Sequence, residues 1–371
     1  MQDWLTLLGE VFLYTSVTFV IGLFVMQWFI GILRKYKIGK NIREESLDGK
    51  KTELFSALHA KKSGTPTMGG VAIWGLVLFV VFLSRLLSFL GVIDSSLLQR
   101  TEVYLPLFTL VFVGILGAVD DYFNVKGIGK TKGLSFTVRS SILLFFGLLG
   151  GLWFYLKLDY THITVPFLGL IEMGWLYVPF FIFVVFFTSN AVNVADGLDG
   201  LSGGLLLMSF SVLGILAIMR EHIFLGLFCG VIVGAILAFL WYNVPPAQFY
   251  MGDTGAFSLG ACLAVIALMT DFVFVLPFIG FMFFITMGSV VLQLFWKKYL
   301  KRKLFLIAPI HHHFEQKGWS ESAIVMRFWI IGSVFCLLGL FVGVLVLEQQ
   351  KIENIYQNSE MIDDSKVVKF V

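Results

Sequence analysis

The stretch VYLPLFTLVFVGILGAVDD (103–121) decides the fold. From Val103 to Val119 it carries no charge, and then it ends on two adjacent aspartates, Asp120 and Asp121. An apolar run of this length covers most of a hydrocarbon core about 30 Å thick, so it reads as a membrane-spanning helix. A helix C-terminus already carries partial negative charge, so two carboxylates there are electrostatically adverse unless a cation offsets them. Carboxylates are also costly in or beside a bilayer. The pair therefore points to a divalent cation, or to Lys126, Lys130 and Lys132 in the loop that follows; the plainer alternative is a solvated acidic pair at the interface.

Similar runs recur along nearly the whole chain. Of 371 residues, 58% are hydrophobic and only 14% are charged, which excludes an ordinary soluble globular protein. The pattern predicts an all-α polytopic membrane protein of about ten transmembrane helices, near 11–33, 67–90, 103–119, 136–157, 175–192, 203–219, 222–242, 256–270, 272–296 and 325–347. Residues 1–347 read as one transmembrane catalytic domain, and 348–371 as a polar, mobile C-terminal tail. The first span follows Asp3 without a basic leader or small-residue cleavage site, so it is expected to stay as a helix. Cys229, Cys262 and Cys336 lie far apart inside apolar runs and read as small core residues rather than a disulfide or zinc set.

Alternate connections share a membrane side. The set comprising 34–66, 120–135, 193–202, 243–255 and 297–324, with the flanking Arg139 and Arg327, holds 20 of the Lys and Arg residues against 7 in the other set. That asymmetry puts the first set in the cytoplasm and, with an even number of spans, both termini outside. Every acidic or histidine cluster falls in the cytoplasmic set, while the outer connections hold nothing that looks like chemistry.

In NAVNVADGLDG (190–200), Asn190, Asn193, Asp196 and Asp199 recur every three residues, and would share one polar stripe if the helical turn continues. Neighbouring glycines, Gly197 among them, let a ligand approach the backbone. Amides and carboxylates suit a base and ribose, or Mg²⁺; a capped polar turn is the alternative. Asp253, in YMGDTG (250–255), is either an ordinary helix cap or a functional acid that Pro245-Pro246 delivers together with Tyr250. His311, His312 and His313 cannot all point one way, so they form no three-histidine metal site; one or two could bind anionic oxygen. In HAKKSGTPTMGG (59–70), Lys61 and Lys62 beside a Gly-Thr-Pro-Thr turn could grip an anion, or the turn could simply start the second span. Carboxylates, amides, lysines and aromatics confined to one face fit Mg²⁺-assisted phosphoryl transfer at a bilayer interface. A nucleotide-sugar transporter is the competing class, although its polar residues belong near the midplane.

TPTMGG (65–70), DDYFNVK (120–126), KGLS (132–135), NAVNVADGLDG (190–200), NVPPAQFYMGDTG (243–255) and PIHHHFE (309–315) occur in the order of one family. The chain resembles the phospho-N-acetylmuramoyl-pentapeptide-transferases, within the polyprenyl-phosphate N-acetylhexosamine-1-phosphate transferase superfamily, across residues 1–347. Tyr250 departs from the Phe of some members, a change that keeps an aromatic face. The resemblance implies transfer of phospho-MurNAc-pentapeptide from UDP-MurNAc-pentapeptide to undecaprenyl phosphate, giving lipid I and UMP in peptidoglycan synthesis. It further implies Mg²⁺, a homodimer, no nucleic-acid partner, and a cleft facing the cytoplasm from a bacterial inner membrane. Asp253 then corresponds to the Mg²⁺ ligand, and Asp120 and Asp121 to the essential acidic pair, with Lys132 and His312 in the catalytic group. Asn193, Asp196, Asp199 and Tyr250 correspond to uridine-site residues. Lys62, Thr67, Asn190, Gly197, Leu198, Asn243, Gln293, His311 and His313 complete the implied substrate contacts. Asp120 could act as a covalent nucleophile or as a base or positioner during direct attack. Direct attack is favoured, because a phosphate monoester with a second pKa near 6 is already mostly dianionic at neutral pH.

Overall fold

The computed structural model describes residues 4–39, 64–128 and 133–367, the side chains beyond 351 excepted. Its helices are α1 (Trp4–Lys35), α2 (Gly69–Phe89), α3 (Tyr104–Lys126), α4 (Phe136–Lys157), α5 (Tyr177–Ala195), α6 (Leu201–Met219), α7 (Ile223–Asn243), α8 (Gly252–Met269), α9 (Leu276–Ile279), α10 (Phe281–Leu300), α11 (Ile310–Gln316) and α12 (Glu321–Val367). Strands β1 (His162–Val165) and β2 (Gly169–Glu172) pair antiparallel in the 158–174 connection, with His162 opposite Glu172 and Val165 opposite Gly169. Nine helices among the described residues are long and apolar enough to cross a membrane.

The ninth expected span, 272–296, is not a single helix. A short helix of 273–279 meets α10 at a bend of 81°, so the pair is a broken span or a re-entrant segment. Apolar content alone continues across Gly280 without a signal, whereas its backbone leaves the helical region there. At the other end of the chain, α12 carries on past residue 347 to Val367.

α8 is the axis of the bundle. Nearly all of its most apolar window is buried, 89%, against about a third for α1, α4 and α12, which face outward. Its sequence, GDTGAFSLGACLAVIALM, explains the position: small side chains let neighbouring backbones close in, the usual route to tight packing between apolar helices. α3 and α5 flank it most extensively, with α2 across its N-terminal end. At Gly117 of α3 a Cβ would meet the Asp253 carbonyl oxygen and the Thr254 Cα at 2.5 Å, so no larger residue fits this crossing. Trp74 Nε1 donates to Thr254 Oγ1 at 3.2 Å, and that hydroxyl donates to the Gly114 carbonyl at 2.7 Å, pinning α2, α3 and α8 together.

The C-terminal end of α8 leads into a polar tether that the sequence pattern does not reveal. Asp271 accepts from the Thr164 N–H at 3.0 Å and from the Thr164 hydroxyl, and pairs with Arg220 at 3.2 Å. Gln350 of α12 donates to the same Thr164 hydroxyl at 3.0 Å. These contacts fasten the β1–β2 hairpin to the C-terminal ends of α6 and α8 and to the body of α12.

Candidate active site

Two helix ends with the wrong electrostatics meet at one face of the bundle. α3 presents Asp120 and Asp121 near its negative C-terminal end, and α4 presents Arg139 in the first turn of its positive end. Each mismatch cancels the other. Arg139 Nη1 donates to Asp120 Oδ2 at 2.9 Å and to Asp253 Oδ2 at 2.8 Å, and its guanidinium lies 4.8 Å from the centre of the Phe257 ring. Asp120 is almost wholly buried, and its second oxygen accepts from the Leu134 N–H at 2.5 Å.

Asp121 has a different task. Its carboxylate oxygens accept from the backbone N–H groups of Asp253 at 3.1 Å and Thr254 at 3.0 Å, the first turn of α8. Those N–H groups have no partner within the helix, so a carboxylate there both satisfies them and meets the favourable end of the dipole. Gly252 sits beside it at φ 75, where a Cβ would stand 2.4 Å from Asp121 Oδ2. Asp253 is thus inside the first helical turn rather than capping it, and Asp121 delivers it to Asp120.

The asparagine stripe reaches the same point. Asn193 Nδ2 donates to Asp253 Oδ1 at 2.7 Å. α5 ends at Ala195, and Asp196 leaves the helical region at φ -78, ψ 49, so the stripe stops at Asn193 instead of continuing through Asp199. Asn190, one turn earlier, is buried and donates to the Phe186 carbonyl of its own helix at 2.8 Å. Asp199 accepts from the Ala247 N–H at 3.0 Å, and its own N–H donates to Glu321 at 2.7 Å. Asn243 accepts from the Gly200 N–H at 3.0 Å and donates to the Phe249 carbonyl at 2.8 Å. These two side chains therefore tie the 196–200 turn to the 244–249 loop. Leu198 is buried beneath that turn.

Tyr250 is fixed through its backbone: its N–H donates to the Pro66 carbonyl and its carbonyl accepts from Gly69, both at 2.8 Å. Thr67 is buried in this seam. His311 and His312 are both buried, with ring centroids 4.2 Å apart, and press on Gly197, where a Cβ would lie 2.5 Å from His311 Nε2. His312 Nδ1 lies 2.5 Å from Glu315 Oε2. His313 instead accepts from the Leu306 N–H at 3.2 Å; burial and then Lys317 lower its pKa, in keeping with a neutral accepting ring. Gln293 accepts from the Leu304 and Phe305 N–H groups at 3.0 and 2.9 Å, bracing the connection between α10 and α11. Lys62 and Lys132 lie outside the described residues.

Asp120, Asp121, Asn193 and Asp253 are thus brought together, and Arg139 joins them. Arg139 entered the sequence reading only as a positive flank; a charged residue one turn into an apolar span, at the helix end that repels it, was the signal. No group of three or more His, Cys, Asp or Glu residues suited to a metal ion occurs among the described residues. Asp120 and Asp253 nevertheless converge on one cation, the Arg139 guanidinium, and offer hard carboxylate oxygens. That donor set fits Mg²⁺, which typically takes one or two carboxylates and completes its shell with water and substrate phosphates.

Comparison with known proteins agrees with this geometry. Residues 103–271, from α3 to the C-terminal end of α8, match the model of Glycosyl transferase family 4, and residues 62–73 match Phospho-N-acetylmuramoyl-pentapeptide-transferase signature 1. A phospho-N-acetylmuramoyl-pentapeptide-transferase of Chloroflexus aggregans is 35% identical over 98% of this chain and 97% of its own length. Proteins of the same name from Listeria welshimeri (37% identical; 88% and 96% covered) and Staphylococcus epidermidis (35%; 90% and 99%) are similar over comparable extents. With near-complete alignment in both directions and the signature lying on the TPTMGG seam, the chain belongs to the phospho-N-acetylmuramoyl-pentapeptide-transferase family.

Proposed function

We propose that this protein transfers phospho-MurNAc-pentapeptide from UDP-MurNAc-pentapeptide to undecaprenyl phosphate, releasing UMP and forming lipid I. The observation that carries this reading is the sharing of Arg139 by Asp120 and Asp253, with Asn193 holding the second oxygen of Asp253. A partly buried cation shared by two acids is suited to placing a diphosphate where charge must be stabilised during transfer.

In the direct route, an oxygen of the lipid phosphate attacks the β-phosphorus of the nucleotide. The bond from that phosphorus to the bridging oxygen breaks, and UMP departs with the electron pair. Asp253 and Asp120 would hold Mg²⁺, which when bound supplies charge compensation for the diphosphate. Asp121 keeps Asp253 aimed by fixing the first turn of α8. The uridine is assigned to Asn193, Asp196, Asp199 and Tyr250, with the His311–His312 wall beside Gly197. The Lys and Arg asymmetry supports a cytoplasmic site, and the family resemblance supports a homodimer in the bacterial inner membrane.

The test is transfer of labelled MurNAc-pentapeptide into an organic-extractable lipid by purified protein with Mg²⁺ and undecaprenyl phosphate. UDP-N-acetylglucosamine serves as the competing donor. Transfer from the competing donor alone would refute the assignment.

A further inference from the structure

Where α11 passes into α12, three side chains are stacked. Phe314 lies against Trp319 at 4.7 Å between ring centroids with 19° between planes, and the Arg327 guanidinium stands 3.9 Å from the centre of the Trp319 ring. Phe314 packs edge-on to the buried Phe328, so the stack rests on the core rather than hanging from a loop. Trp319 remains 38% exposed and Arg327 is exposed, so the guanidinium edge faces outward. Among the described residues, Arg327 takes part in no salt bridge. A guanidinium flat on an indole keeps its planar N–H fork free for a bidentate oxyanion, and the stacking has already fixed its orientation.

The stack also borders the substrate wall. Phe314 follows His311 and His312 on the same short helix, and Glu321, the first residue of α12, accepts from the Asp199 N–H at 2.7 Å. Trp329, on the face of α12 opposite Arg327, sits against Gly204 of α6 and Gly200 of the DGLDG turn. With the uridine at that turn, the peptide lies beyond the diphosphate and the sugar, and it can itself extend about 17 Å, at roughly 3.4 Å per residue, a reach that would bring it to this surface. Its carboxylates are oxyanions of the right geometry for Arg327.

We propose that Arg327, held flat on Trp319, recognises a carboxylate of the peptide portion of the nucleotide substrate and so contributes to peptide specificity. This rests on the transferase reading above. Phospholipid headgroups offer the same oxyanion chemistry from a second source, and the experiment separates the two.

The measurement is the kcat and KM of wild type, Arg327→Gln and Arg327→Lys with two donors. One is UDP-MurNAc-pentapeptide; the other is the same molecule with every peptide carboxylate converted to a carboxamide. Turnover of the unmodified donor by wild type tests the transferase reading on its own, before any variant is considered. For the unmodified donor, Arg327→Gln is expected to raise KM about tenfold with kcat within about twofold, the scale of one charge-assisted bidentate contact. Arg327→Lys should fall between, since an ammonium keeps the charge but loses the fork. For the carboxamide donor, wild type and Arg327→Gln should share one raised KM. An equal rise in KM for both donors, or no rise for either, overturns the proposal. So does an effect of Arg327→Gln that vanishes when phosphatidylglycerol is removed from the reconstituted vesicles, which would assign the oxyanion to lipid. Thermal unfolding of each variant identifies any loss that comes from folding, which would appear as a fall in kcat with both donors.

Discussion

Asp120 on α3 and Asp253 on α8 share one donor nitrogen, with Arg139 Nη1 2.9 Å from the first and 2.8 Å from the second. Two acids from distant segments thereby become a single centre whose negative charge is only partly offset by the arginine before substrate arrives. Removing the arginine leaves them facing each other. Breaking a fully buried ionic cluster costs about 3–5 kcal/mol. Asp253 keeps 26% of its side-chain exposure, so roughly half that penalty is expected. Arg139→Gln should therefore lower thermal stability and reduce turnover at least about 100-fold, a typical loss when a stabilising group is removed from a reacting centre. Arg139→Lys should be intermediate, because one ammonium cannot span both carboxylates in the same way. Turnover and unfolding midpoints of the two variants check this.

Asp121 and Asp120 are adjacent but should respond differently. Asp121 satisfies the N–H groups of Asp253 and Thr254, so Asp121→Ala should cost about 1–2 kcal/mol of stability as the lost cap of α8, and also displace Asp253. Asp120→Asn, which can still accept from the Leu134 N–H and removes one of two crowded charges, should abolish turnover while leaving the unfolding midpoint close to wild type. Equal midpoints for the two variants would contradict the division of roles.

The α3–α8 crossing should be intolerant of a single methyl group. A Cβ at Gly117 meets backbone atoms of Asp253 and Thr254 at 2.5 Å, which cannot yield without shifting the site. Gly117→Ala should destabilise by about 1–3 kcal/mol, the usual cost of overpacking, and lose activity. Gly9→Ala on α1, where nothing lies within 4 Å, is the matched control and should be silent.

Much of this arrangement is legible in the sequence because the bilayer imposes simple arithmetic. Runs long enough to span it stand out, and acids placed at their ends on one side have few structural excuses. The α2, α3, α5 and α8 elements and the grouping of Asp120, Asp121, Asn193 and Asp253 follow from that logic. Other features lie beyond it. Gly280 breaks an apolar run whose composition does not change across the bend, because the break depends on how α9 and α10 pack. Asp196 and Asp199 fit a period of three, yet α5 ends at Ala195 and Asp199 is drawn to the Ala247 N–H instead. Arg139 is hidden because a lone arginine at a span end is also what membrane topology requires. Only the three-dimensional meeting with two acids distinguishes it.

Tyr250 is anchored through its backbone to Pro66 and Gly69. If it stacks on uracil, Tyr250→Phe should be nearly neutral, while Tyr250→Ala should weaken nucleotide binding about tenfold or more, given about 1–3 kcal/mol per stacked base. Calorimetric titration with UDP-MurNAc-pentapeptide checks this, and unchanged affinity in both variants would make the ring a packing element only.

The central claim is that the acid centre bridged by Arg139 transfers a phospho-sugar onto a lipid phosphate with a divalent cation. The most direct measurement is UMP release from UDP-MurNAc-pentapeptide by purified protein in detergent, with wild type beside Asp253→Asn. Wild type should release UMP only when undecaprenyl phosphate and Mg²⁺ are both present, and stop in excess EDTA. Asp253→Asn, folded to the same midpoint, should release almost none. Full release in excess EDTA, or wild-type rates from Asp253→Asn, would contradict the account.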